Sequence, residues 1–248
     1  MSVCQCEYTT PIHPGYEVIA MRLYLSSFQL GRASSELIRL LRGRRRTAVI
    51  LNADDYKTSE DRAASLADQV DALRAIGLDP GELDLRDYFD RGPDLMERLR
   101  SFDLVWVRGG NPFILRRALR QSGGDQILKG LLTDDSVVYG GFSAGVVVLT
   151  PSLRGLELTD DREFVREPYT PEVVWEGLGV LDYYVVPHHE SDNPVHSEIV
   201  KYLKYLKKAN VPFVTIRDGE AIVREGAEEV VVGGPVRRSV AEILKVRS

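Results

Sequence analysis

The sequence predicts an α/β fold in which a mostly parallel sheet carries helices on both faces. Three observations carry this. Short apolar runs of strand length alternate with longer stretches whose apolar residues recur at helical spacing. Two of those runs, at 104–107 and 136–139, lead straight into glycine-rich turns, as strands do at a ligand-binding edge. Hairpin-like strands are confined to the tail beyond Ala221, broken at Gly226 and Gly233-Gly234. Strands separated by helices cannot pair through tight turns, so they run parallel with their connecting helices packed on the sheet.

The elements follow in order. Leu23-Tyr24-Leu25 is a short apolar strand ending in Ser26-Ser27. Ser34 or Ser35 caps a helix whose Leu37, Ile38, Leu40 and Leu41 share one side. The basic run 42–46 falls at the end of that helix, where cations suit the dipole. Residues 47–52 form a buried-type strand. Thr58 or Ser59 caps the next helix, with Leu66, Val70 and Leu73 at i, i+4 and i+7, and Gly77 stops it. A strand at 83–85 and a short helix at 93–99 come next. The strand at 104–107 enters Arg108-Gly109-Gly110-Asn111, and Pro112 opens a helix to about 120, proline being suited to a first turn. The strand at 136–139 enters Gly140-Gly141-Phe142-Ser143-Ala144-Gly145. An irregular polar segment (about 152–176) precedes a strand at 183–186, a helix at 195–208 and a strand at 214–216.

No repeat, low-complexity tract or linker divides the chain, so residues 21–248 read as one domain. Residues 1–20 lack a clear period and carry Pro11 and Pro14, which marks them as a flexible N-terminal extension, with Met21 as the expected natural start. Lys and Arg number 32 against 37 Asp and Glu, a net charge of −5 that argues against wrapping nucleic acid. No apolar run approaches the roughly 20 residues of a spanning helix, and the N-terminus lacks a signal-peptide pattern. The two cysteines, Cys4 and Cys6, make no disulfide framework, so a reduced, cytoplasmic setting is expected.

The chemistry concentrates in Gly141-Phe142-Ser143-Ala144-Gly145, a G-x-S-x-G turn between an apolar strand and Val146-Val147-Val148-Leu149. A nucleophile on such a turn occupies a strained backbone, and only small neighbours let the two arms approach. The turn lifts the serine oxygen clear of the sheet, close to backbone N–H groups that can meet an oxyanion. Gly109-Gly110-Asn111 ends the preceding strand on the same edge, so the Gly110 N–H can aim where that of Ala144 does. Nothing in the chain matches a nucleotide-binding G-x-G-x-x-G or G-K-[ST] loop. The serine needs a base, and among His13, His188, His189 and His196 only His188 and His189 follow a strand. One of that pair is the expected base. His188, His189, Glu190, Asp192 and His196 match no familiar metal-ligand spacing, so neither metal nor cofactor is expected.

These residues resemble the dipeptidase E family of serine peptidases, which cleave dipeptides with N-terminal aspartate and are related to the cyanophycinases. The resemblance rests on Gly109-Gly110-Asn111 with Phe113, the elbow 141–145, Pro151 with Arg154, and Pro187-His188, in order over roughly residues 21–235. It implies a three-layer sandwich like the class I glutamine amidotransferase domain. It also implies Ser143 as nucleophile, His188 as base, and Gly110 with Ala144 as the oxyanion hole. The third member is ranked first as Asp218, at a rigid strand end, ahead of Asp160, Asp161 and Glu190. Asp160 or Asp161 is then left for the substrate's amino group. Asn111 and Arg154 complete the expected substrate contacts, Arg154 because a fixed guanidinium binds an acidic side chain bidentately. The implied partner is a small peptide, neither nucleic acid nor membrane, and a homodimer stays open. Two alternatives accompany this reading: a cyanophycinase-like peptidase, which also cuts next to aspartate, and a non-catalytic binder of acidic ligands. The segment from 156 to 176 is longer than in dipeptidase E, which bears on the pocket's shape.

Overall fold

A computed structural model describes residues 21–192 and 196–245, so the expected extension at 1–20 lies outside the described residues. Five strands lie parallel and side by side: β1 (Arg22–Ser26), β5 (Val138–Phe142), β4 (Leu104–Val107), β2 (Arg46–Ile50) and β3 (Asp79–Glu82). Beyond β1 the sheet continues antiparallel through β8 (Ala221–Glu225), β9 (Glu228–Val232) and β10 (Arg238–Ser239), the meander expected of the tail. Alternate residues of each strand face opposite layers. Tyr24, Val49 and Trp106 pack with Leu37, Leu40 and Leu41 of α1 (Ser34–Leu41) and Leu73 of α2 (Ser59–Ala75). On the other face Leu23, Leu25, Val105 and Val107 meet Leu95 of α3 (Gly92–Arg100), Ile114 and Leu115 of α4 (Pro112–Gln121), and Leu128 of α5 (Gly124–Thr133). Helices thus cover both faces of a mostly parallel sheet, as the strand–helix alternation predicts. Among the described residues no helix is long and apolar enough to cross a membrane.

Several elements depart from the expectation, each for a physical reason. The strand expected at 83–85 is instead β3 at Asp79–Glu82. The next residues are drawn into a 3₁₀ turn because the Asn52 side chain accepts the Leu85 N–H at 3.1 Å and Asp84 accepts that of Arg86 at 3.0 Å. The helix α5 is absent from the sequence reading, since glycines at 123, 124 and 130 read as loop. Its Ile127, Leu128, Leu131 and Leu132 nonetheless form a stripe that packs on α3 and α4. Thr58 caps α2 by accepting the Asp61 N–H at 3.1 Å, whereas α1 starts at Ala33 with no side-chain cap.

The strands at β6 (Tyr184–Val186) and β7 (Phe213–Thr215) do not join the main sheet. They pair with each other in a parallel ribbon. The ribbon, α6 (Ala144–Val147) and α7 (His196–Ala209) enclose a third apolar cluster of Val147, Val186, Ile199, Tyr202, Leu206 and Phe213. The irregular segment at 152–176 is tied to α4 by two buried arginines. Arg117 donates to the carbonyls of Arg162, Pro171 and Glu172, and Arg116 to that of Glu176. Backbone oxygens without secondary structure are thereby satisfied, and the segment stands as a fixed wall beside the elbow.

Candidate active site

The sharp turn after β5 is built against one atom, the carbonyl oxygen of Val107 at the end of β4. A β-carbon on Gly141 would lie 2.5 Å from that oxygen, and one on Gly145 only 2.3 Å away. Both arms of the elbow therefore require glycine. Between them Ser143 is held at φ 50°, ψ −112°, a conformation a side chain rarely adopts and one that concentrates at functional positions. The geometry projects Ser143 into a cleft of about 500 Å³ on the carboxyl edge of the parallel strands.

His188 reaches the same cleft from the end of β6, also with a positive φ of 57°. Its buried imidazole has Nε2 3.1 Å from Ser143 Oγ and Nδ1 2.8 Å from Asp218 Oδ1. A carboxylate can only accept, so Nδ1 carries the proton and Nε2 is left to accept from the serine hydroxyl. Asp218 stands on the turn after β7, where the ribbon brings 188 and 218 together: the His189 N–H donates to the Ile216 carbonyl at 3.1 Å. Ser27, one residue beyond β1, locks the arrangement. It accepts the His188 backbone N–H at 2.8 Å and donates its hydroxyl to Asp218 Oδ1 at 2.7 Å. Phe28 packs edge-on against both the imidazole and Phe142, walling the ring on one side.

The N–H groups of Gly110 and Ala144 line the cleft and donate to no hydrogen-bond acceptor among the described residues. Gly110 adopts φ 141°, and a β-carbon there would strike the Ala53 carbonyl at 2.5 Å. Two free donors beside a serine oxygen are what a tetrahedral oxyanion requires.

The other expected residues are placed as follows. Asp160 lines the cleft, accepting from the Thr159 hydroxyl at 2.6 Å, and burial pushes its carboxyl up to about 6. Asp161 also lines it, with one carboxylate oxygen taken by the Glu163 N–H. Glu190 is exposed and paired with Arg217 and His189 at the surface. Asn111 borders the cleft with its amide engaged at both ends: Oδ1 caps α4 through the Phe113 and Ile114 N–H groups, and Nδ2 donates to the Asp161 carbonyl at 2.7 Å. Arg154 does not reach the cleft. It is exposed, with its guanidinium 4.7 Å from the Trp175 ring centroid, where stacking on an aromatic face holds it. The cations that do line the cleft are Lys57 and Arg108, both paired with buried Asp54.

The profile of peptidase family S51 matches residues 36–232, most of the chain, with Ser143, His188 and Asp218 inside the match and Ser27 and Phe28 before it. The chain belongs to peptidase family S51. This S51 member is accordingly a peptidase, a hydrolase of peptide bonds. It is similar to peptidase E of Streptomyces coelicolor, at 31% identity over 148 residues that cover 58% of this chain and 57% of that one. It is also similar to a candidate alpha-aspartyl dipeptidase of Drosophila melanogaster, at 23% over 141 residues covering 57% and 58%. The aligned stretches span less than two thirds of either relative. The crystal structure of a candidate peptidase E from Listeria monocytogenes superposes with a TM-score of 0.66 at 20% identity, covering 86% of this chain and 98% of that one. That likeness shows the fold, the class I glutamine amidotransferase-like sandwich. In the S51 member Ser27, Phe28, Asp54, Lys57 and Arg108 are site residues that sequence reasoning passed over. The one available signal for Ser27 was a polar Ser-Ser pair closing an apolar strand. Asp54 stands in the sequence only as half of an Asp54-Asp55 pair, a pattern common in turns.

Proposed function

We infer that this S51 peptidase is a serine exopeptidase that hydrolyses dipeptides with N-terminal aspartate through an acyl-enzyme. The observation that carries the reading is the hydrogen-bonded series Ser143–His188–Asp218 inside a single cleft. Ser143 Oγ attacks the scissile carbonyl while His188 Nε2 takes its proton, and Asp218 stabilises the imidazolium that forms. The oxyanion is held by the Gly110 and Ala144 N–H groups. His188 returns the proton to the leaving amine, and water then opens the ester to release aspartate. The name of the Drosophila relative supports aspartyl dipeptides as the substrate class. The fixed wall at 152–176 supports short ones. A reduced, cytoplasmic setting is proposed with it.

The test is release of free aspartate from Asp-Leu, Glu-Leu, Ala-Leu, N-acetyl-Asp-Leu and a short cyanophycin oligomer. Asp-Leu is expected to be cleaved best and N-acetyl-Asp-Leu not at all. Cleavage of the acetylated peptide would refute exopeptidase action, and cleavage of the cyanophycin oligomer alone would transfer the reading to a cyanophycinase-like enzyme.

Asp160 is proposed to receive the substrate's ammonium group. Only its ionised form attracts a cation, so KM for Asp-Leu is expected to rise as pH falls through about 6. Asp160→Asn should show a higher KM that no longer changes across that range. A carboxyl whose native pKa is raised adds stability at acid pH and loses it as pH rises through the native value. Asp160→Asn should therefore melt at or above the wild-type temperature at pH 8. A KM untouched by the substitution would remove Asp160 from the substrate's contacts.

A further inference from the structure

Lys57 and Arg108 converge on the same oxygen of one carboxylate. Lys57 Nζ lies 3.0 Å and Arg108 Nη1 2.5 Å from Asp54 Oδ2. The Asp54 side chain is wholly buried and its second oxygen, Oδ1, has no hydrogen-bond partner. Lys57 also donates to Ser65 Oγ at 2.9 Å, and Arg108 Nη1 to the Gly109 carbonyl at 3.1 Å. Arg108 Nη2 receives no partner from the described residues, and Nε is buried without one. One cation would neutralise Asp54. Two leave the Lys57–Asp54–Arg108 cluster with one net positive charge, held by side chains only 19% and 23% exposed, where water screens weakly.

The position of this charge is informative. The Arg108 guanidinium lies 5.9 Å from the ring centroid of Phe142, the residue before Ser143. Asp160 lines the same cleft as Lys57, Asp54 and Arg108. A cation fork and a carboxylate lining one cleft suit a ligand bearing both an ammonium and a carboxylate. We propose that Lys57, Asp54 and Arg108 form the carboxylate subsite of the cleft, with Arg108 and Lys57 binding a substrate carboxylate and Asp54 positioning both. The proposal rests on the short-peptide reading above and gives to this cluster the part that the sequence had assigned to Arg154. The carboxylate comes either from the aspartyl side chain or from the peptide's C-terminus.

Calorimetric titration of the Ser143→Ala protein separates these cases, because it reads binding without turnover. The ligands are Asp-Leu, Asn-Leu, Asp-Leu amide and Asn-Leu amide, compared in the parent and with Arg108→Met or Lys57→Met added. Each added substitution leaves Asp54 one cation, so neither strands a buried charge. Arg108→Met is expected to weaken Asp-Leu binding by roughly 10- to 100-fold, the value of a charge-assisted hydrogen bond, and Lys57→Met by less. Arg108→Lys should recover part of the loss. If the aspartyl side chain is the ligand, Asn-Leu binds the parent weakly and is indifferent to Arg108→Met. If the C-terminus is the ligand, Asp-Leu amide behaves that way instead. Equal weakening of all four ligands, or none, overturns the subsite while leaving the peptide reading standing. Failure of the parent to bind any of the four overturns both.

Discussion

Replacing Ser143 with alanine is expected to lower kcat for Asp-Leu by on the order of 10⁴-fold or more while leaving the fold intact. The two halves of this expectation have separate causes. Without Oγ no acyl-enzyme forms, and His188 has no hydroxyl to deprotonate across the 3.1 Å now separating them. What survives is the binding and the Gly110 and Ala144 donors, which alone give only a residual rate. The fold should hold because alanine and serine share the β-carbon that makes φ 50° costly, so the substitution adds no strain. Among the described residues the serine hydroxyl makes no hydrogen bond other than that to His188, so the urea midpoint should move by no more than about 0.5 kcal/mol in equivalent stability. Retention of more than about one per cent of kcat would mean that Ser143 is not the nucleophile.

The elbow was legible because its chemistry and its packing demand the same residues. Gly141 and Gly145 are needed against the Val107 carbonyl, and that need is visible in sequence as a spacing. Scarcity narrowed the base to His188 or His189, the two histidines after a strand, and the family resemblance chose His188 and offered Asp218, which its strand-end position ranked first. The cations were not legible. Arg108 and Arg154 both stand beside motifs in sequence, and what separates them is the partner each finds in three dimensions. Arg108 meets the buried carboxylate of Asp54, 54 positions earlier in the chain, whereas Arg154 stacks on Trp175 outside the cleft. Ser27 likewise gains its importance only when β1 and the β6–β7 ribbon come together. The same limit applies to the fold. Apolar pattern located β6 and β7 as strands, but pairing is a property of the assembled chain, so their separation from the main sheet could not be read. The helix α5 was hidden for another reason, since three glycines masked a face whose packing outweighs their low propensity.

Asp218→Asn carries the second large effect, a fall in kcat of about 10⁴-fold with KM little changed. Asp218 Oδ1 accepts from two donors at once, His188 Nδ1 and the Ser27 hydroxyl. An asparagine oxygen can imitate that pattern in shape, so the ring need not move. It cannot supply the negative charge that stabilises the imidazolium as the serine proton arrives, and its NH₂ group favours the wrong tautomer whenever the amide turns over. Ground-state binding uses neither property, which is why kcat and KM should separate. Ser27→Ala removes one of the two donors and the contact to the His188 backbone, yet keeps the charge. Its loss should fall well short of that of Asp218→Asn. Glu190→Gln is the contrasting case: an exposed carboxylate paired with Arg217 at the surface should be replaceable with kcat changed by less than about twofold. Steady-state kinetics on these variants decide the third member, for a full effect at Glu190 or Asp160 with Asp218→Asn nearly active would require the imidazole to turn to a different acid during turnover.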